Sequence, residues 1–174
     1  MQTSARDANL LGALGTVLSD ALDDAAELAG GASRAVALVA LHGTSAGGSI
    51  DALAGRIGLS HSGTVRLVDR LVRAGLVERR RGADQRSAAL VLTPQGRRAA
   101  RQVLARRDAN LQILLGLLTD DQRAAAIELV EVLLEGVARA GAAEPRVCRL
   151  CDLEACGRPR GRCPVAPPAR RRRQ

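Results

Sequence analysis

The 174-residue sequence contains no Phe, Tyr or Trp. Any core must therefore be assembled from Leu, Val, Ile and Ala, which pack best as interdigitated helical faces rather than around aromatic rings. The same absence removes the platforms on which single-stranded nucleic acids stack, so that mode of binding is excluded. The length suits one compact domain with a tail.

Charge is distributed in blocks. All 26 basic residues are Arg, a bias in keeping with a GC-rich coding genome, and the formal net charge is +8. Residues 1–55 carry a net −4, residues 56–107 a net +10, residues 108–144 a net −5 and residues 145–174 a net +7. A basic central block between acidic flanks points to a central module that meets a polyanion, with flanking segments serving another purpose. No apolar run approaches the roughly 20 residues needed to span a bilayer, and the start lacks the pattern of a signal peptide. The expectation is a cytoplasmic protein whose cysteines are reduced, which favours metal or redox chemistry over structural disulfides.

Leu10, Leu11, Leu14, Val17, Leu18 and Leu22 recur at helical spacing, predicting an amphipathic helix over about 8–29 that Gly30 and Gly31 stop. Ser33 is the expected N-cap of a second helix through Leu41. After a glycine-containing loop, Ser49 is placed to cap a short helix that turns its Ile50, Leu53, Ala54 and Ile57 inward. Gly58-Leu59-Ser60 forms a turn, and His61 to Ala74 reads as the next helix, its expected inward set being Val65, Val68, Leu71 and Val72. Two such helices joined by a short Gly-containing turn make a helix-turn-helix, whose second helix enters the major groove. Residues 76–81 and 86–92 read as a basic β-hairpin. Thr93 with Pro94 opens a long helix to about Leu118, and Thr119 caps a last helix that ends at Gly141 and Pro145.

The order of these elements resembles the MarR family of winged helix-turn-helix regulators. The segment LSHSGTVRLVDRLVRAGLVERR resembles the family's recognition helix and first wing strand, and GADQRSAALVLTPQGR resembles its wing with the Leu-Thr-x-x-Gly word that follows. The likeness spans about residues 8–140. It implies a mainly α fold with a small hairpin and a homodimer on a pseudo-palindromic site in double-stranded DNA. It further implies frequent repression of nearby genes and release by a small-molecule effector or an oxidant. On this reading residues 1–144 form the winged-helix domain, with 49–92 as the DNA reader and 8–29 and 94–140 as dimerisation helices.

The expected DNA contacts follow from position. Ser62 and Arg66 lie early on the recognition helix and are candidates for base edges, Arg66 through a bidentate pair with guanine. Thr64 sits to their side, and Arg70 lies further along, suited to phosphate. Arg79, Arg80 and Arg81 add charge to the hairpin, although an alternating strand cannot direct all three at the same phosphates. Asp84 and Arg86 match the family's wing-tip pair, Arg86 projecting toward the minor groove. Asp69 is placed to pair with Arg66 or Arg73. His61 is a candidate for phosphate and His42 for a helix terminus. Neither has the partners of a catalytic constellation, so an enzyme is not expected.

Residues 145–174 form a basic tail with Cys148, Cys151, Cys156 and Cys163 in the spacing C-x2-C-x4-C-x6-C. Four thiolates so close in sequence can wrap a tetrahedral ion, zinc first, an iron-sulfur cluster being an alternative and reversible disulfides another. A thiol oxidoreductase is disfavoured because the CxxC lies in a short tail without a βαβ pattern. An architectural protein that binds DNA without an operator is the other reading left open.

Overall fold

The structure, a computed structural model, describes residues 4–44, 48–81, 88–141 and 144–166. The described elements are α1 (Ala5–Glu27), α2 (Ala32–His42), α3 (Ile50–Ile57), α4 (His61–Arg73), β1 (Val77–Arg81), β2 (Ala88–Leu92), α5 (Pro94–Leu115), α6 (Asp120–Arg139) and the single turn α7 (Glu144–Val147). This is the expected mainly helical winged-helix order.

Hydroxyl side chains fix most helix starts. Ser49, Ser60, Thr93 and Thr119 each accept a hydrogen bond from a backbone N–H in the first turn of the helix they precede. Ser4 does the same with Asp7 in a capping box, so α1 begins at Ala5, ahead of the expected start at about residue 8. Ser33 is not a cap. The chain turns at Gly31, where φ is +106°, and α2 is already helical at Ala32.

Helix α2 is the centre of the core. Its residues from Ala35 to Leu41 are all buried, wrapped by α1, α3, α5 and the hairpin. Leu67, Val68 and Leu71 of α4, Val77, Leu90 and Leu92 of the hairpin and Val103 of α5 close around it. The hairpin is antiparallel with Val77 opposite Leu92 and Arg79 opposite Leu90, and an isolated antiparallel bridge joins Gly48 to Leu90 from the loop before α3. Helix α1 is held to α5 by a polar clamp. Arg106 Nε donates to Asp24 Oδ2 at 2.7 Å, and Asn110 Nδ2 donates to the same oxygen at 2.8 Å and to the Ala21 carbonyl at 2.9 Å. The Arg106 hydrogen bond, followed by that of Asn110, holds the Asp24 carboxyl below its usual range.

Helix α6 behaves differently. No residue in it is buried, and Leu129 (66% exposed), Val132 (62%) and Leu133 (57%) face outward, as does Leu11 (61%) on α1. No helix among the described residues is long and apolar enough to cross a membrane.

Candidate nucleic-acid interface

The reader is built on the α3–α4 pair. Gly58 ends α3 in the left-handed conformation (φ +78°), which lets the chain reverse within the three-residue turn before α4. His61 Nδ1 lies 2.7 Å from Asp51 Oδ1, tying the start of α4 to α3 and giving this exposed histidine a protein partner.

The buried face of α4 comprises Thr64, Leu67, Val68 and Leu71. The helix is therefore rotated from the phase expected from its valines: Val65 is half-buried and Val72 exposed. Thr64, counted among the DNA-facing residues, is 0% exposed and belongs to the core. Its hydroxyl donates to the Ser60 carbonyl at 3.0 Å, which removes the penalty for burying it. At 100° per residue the ridge opposite this face runs through Ser62, Arg66, Asp69 and Arg73, with Arg70 on its flank. Ser62, Arg66, Arg70 and Arg73 are exposed on that surface. Arg73 is outward, as its spacing from Arg66 and Arg70 on the helix leads one to expect.

Asp69 is paired, though not with Arg66 or Arg73. Its Oδ1 accepts from Arg79 Nη2 at 2.8 Å, an ion pair linking the recognition helix to β1. Arg80 pairs instead with Glu78 at 2.5 Å. The strand thus separates its arginines as its two-residue period requires, Arg79 sharing a face with Val77 and Arg80 with Glu78. Arg81 ends β1 opposite Ala88. Asp84 and Arg86, the expected wing-tip pair, lie outside the described residues.

The tail folds back on the domain. Cys148, Cys163 and Val165 are buried together, with Cys151, Cys156, Val147 and residues Leu134 and Ala138 of α6 packed around them. Leu150 packs on the main core, and Leu153 reaches the end of α2, where a Cβ at Gly43 would lie 2.8 Å from its Cδ1. Arg146 lies over the helix-turn-helix itself, 3.4 Å from where Gly58 would carry a Cβ. No signal within the one-dimensional pattern marks that approach. No disulfide joins the four cysteines. Burial pushes the Cys156 thiol up, and its neighbours Cys163 and Cys151 push in the same direction. Among the described residues no three Cys, His, Asp or Glu side chains already form a metal cage. The tail also walls a cavity of about 630 Å³ with Val39, His42 and Leu104.

A buried helix-turn-helix presenting an arginine ridge, followed by an antiparallel hairpin, defines a winged-helix DNA-binding protein. Residues 31–87 match the family model described as MarR family. Among solved structures the chain is similar to the YusO protein of Bacillus subtilis, with 25% identity over 75% of this chain and 97% of that one and a TM-score of 0.63. It is similar to the MarR family protein Rv2887 of Mycobacterium tuberculosis, with 26% identity, 72% and 91% coverage and a TM-score of 0.57; Rv2887 has also been solved in complex with DNA. CouR of Rhodococcus jostii RHA1, solved bound to p-coumaroyl-CoA, matches with 26% identity, 77% and 92% coverage and a TM-score of 0.55. No curated protein sequence matches the chain. These solved chains are covered almost end to end while about a quarter of the present chain has no counterpart in them.

Proposed function

We propose that the protein is a cytoplasmic homodimer that binds a pseudo-palindromic operator in double-stranded DNA and represses transcription until a signal releases it. The observation that carries the dimer is the apolar surface of α6 together with Leu10, Leu11 and Leu14 of α1, all left exposed by the single chain. Their net negative charge suits a surface remote from DNA, and burial of these leucines between two copies supplies the hydrophobic contact that the chain alone does not provide. Two readers related by such an axis fall in successive major grooves, about 34 Å apart.

Within each reader, Ser62 and Arg66 address base edges, while Arg70 and Arg73 serve the phosphates nearer the helix end. Arg79 borders the same surface through its bond to Asp69, and Arg81, Asp84 and Arg86 are expected to contact DNA as part of the wing. Release by a small molecule has a precedent in the acyl-CoA bound by CouR. The tail described below is a second candidate for the point where a signal acts.

Selection of duplexes from a random pool, combined with light scattering of the free protein, tests this reading. A dimer that enriches two inverted half-sites one helical turn apart supports it. A monomer in solution, or binding that enriches no sequence, overturns it, and the second result would favour an architectural role. Repression is tested by transcription from a promoter carrying the selected site.

A further inference from the structure

We propose that the four cysteines of the tail form a zinc site of tetrathiolate type, which braces the DNA reader against helix α6.

The tail has little else to hold it. Residues 144–166 contain one helical turn and one 3-10 turn, and their own buried cluster consists of Cys148, Cys163 and Val165 with Cys151 and Cys156 beside them. So small an apolar centre does not order a segment of this length by burial alone, and a structural metal is the usual remedy where disulfides are absent. The four cysteines pack into one cluster although they span 148–163 in the chain.

The chain folds tightly around Cys156. Gly157 (φ +71°) and Gly161 (φ +68°) both adopt the left-handed conformation, folding the chain around residues 158–160. Within this fold the Cys156 thiol donates to the Leu153 carbonyl at 3.3 Å, a proton that a bound metal ion would displace. Charge points the same way. When Zn²⁺ displaces the four thiol protons into solvent, the product [Zn(SCys)4] carries a charge of −2, and the cysteine-bearing segment, with Arg149, Arg158, Arg160 and Arg162 against Asp152 and Glu154, carries a net +2 to offset it.

The sulfurs do not yet stand as a cage. Metal binding and local folding are one free energy, so an ion held by the four thiolates would order the segment that carries them. The position of the site gives it a further consequence. The cysteine cluster rests on Leu134 and Ala138 of α6, while Leu150 enters the main core and Arg146 lies against Gly58 in the helix-turn-helix. An ion gripped here fixes α6 relative to the reader. This second consequence rests on the operator-binding reading; the metal site itself does not.

The test uses the full-length protein purified anaerobically without added metal. Elemental analysis is expected to give about one zinc per chain, as a four-cysteine site holds one ion. Replacement by Co²⁺ should yield the intense visible bands and sulfur charge-transfer absorption of tetrahedral thiolate coordination. Cys163→Ser and Cys151→Ser should each lose most of the zinc while circular dichroism keeps the helix content of residues 4–141. If those variants do not fold, Co²⁺ titration of the chelator-treated parent still decides. Metal-free protein that takes up no Co²⁺, or iron with acid-labile sulfide in its place, overturns the assignment. Zinc binding that leaves operator affinity unchanged after chelation retains the site and removes the brace. Failure to bind DNA with zinc present counts against the operator reading alone.

Discussion

Gly96 stands so close to the carbonyl of Leu76 that a Cβ at position 96 would lie 1.9 Å from its oxygen. This is where the first turn of α5 crosses the entry to β1, and it explains why the Leu-Thr-x-x-Gly word ends in glycine. The same crossing is fixed by Thr93, whose hydroxyl donates to the Gly75 carbonyl at 2.6 Å and accepts from the Gly96 N–H at 3.0 Å. Gly96→Ala must push backbone away from backbone, with no flexible side chain to yield. It is expected to lower stability by about 1–3 kcal/mol, the usual range for overpacking. Urea unfolding measures it, and an unchanged midpoint would disprove the close approach.

Thr93 offers a graded version of the same experiment. Thr93→Ala removes the cap of α5 and the bond to Gly75, costing about 1–2 kcal/mol, whereas Thr93→Ser keeps the hydroxyl and should recover most of that loss. Equal destabilisation by the two substitutions would show that the methyl group, not the hydroxyl, matters at this position.

The α1–α5 clamp should be visible in pH dependence. Asp24 has its pKa lowered in the folded state, so its contribution is fully present above the unfolded carboxylate value of about 3.9 and disappears as pH falls through the lower folded value. Asp24→Asn should therefore be less stable than the parent from neutral pH down to about 5, with the two curves converging in strong acid. Because the pair is exposed to solvent, added salt should narrow the gap. A difference that persists undiminished at the acid end would assign the effect to something other than the ionised carboxylate.

Three caps were readable from sequence because a hydroxyl before an apolar-periodic run has one main use, and Ser49, Thr93 and Thr119 serve it, while Ser60, read as part of the turn, proves to be a fourth. Ser33 has the same residue type and no such role, since Gly31 makes the turn unaided. The phase of α4 was less readable. Hydrophobicity placed Val65 and Val72 inward, but a threonine that satisfies its own hydroxyl against the Ser60 carbonyl is as good a core residue, and Thr64 takes the buried position. Contacts across the chain left no local pattern: Asp24 and Arg106 are 82 residues apart, and Arg146 reaches Gly58 from the tail.

Asp69 tempers the recognition surface. Its carboxylate is bound to Arg79, which neutralises one of the cations beside the groove. Asp69→Ala releases that guanidinium for phosphate, so affinity for unrelated duplexes should rise and the logarithmic salt slope should steepen by about 1. Titrations against one non-operator duplex at several salt concentrations check this. An unchanged slope would mean that Arg79 stays out of reach of the phosphates even when unpaired.

Arg66 carries the sharpest expectation because it is the only arginine in the first half of α4 and lies on the ridge opposite Leu67, Val68 and Leu71. Early residues of a recognition helix reach base edges, and the fork of a guanidinium suits the paired acceptors of guanine. Arg66→Ala should reduce discrimination at one base pair of each half-site by about 1–3 kcal/mol while other positions keep their preference. Arg70→Ala, further along the helix, should instead weaken all sequences alike. Parallel binding-site selections with the two variants separate these outcomes. If Arg66→Ala lowers affinity uniformly and leaves every base preference intact, Arg66 is a phosphate contact and the readout lies elsewhere on the ridge or in the wing.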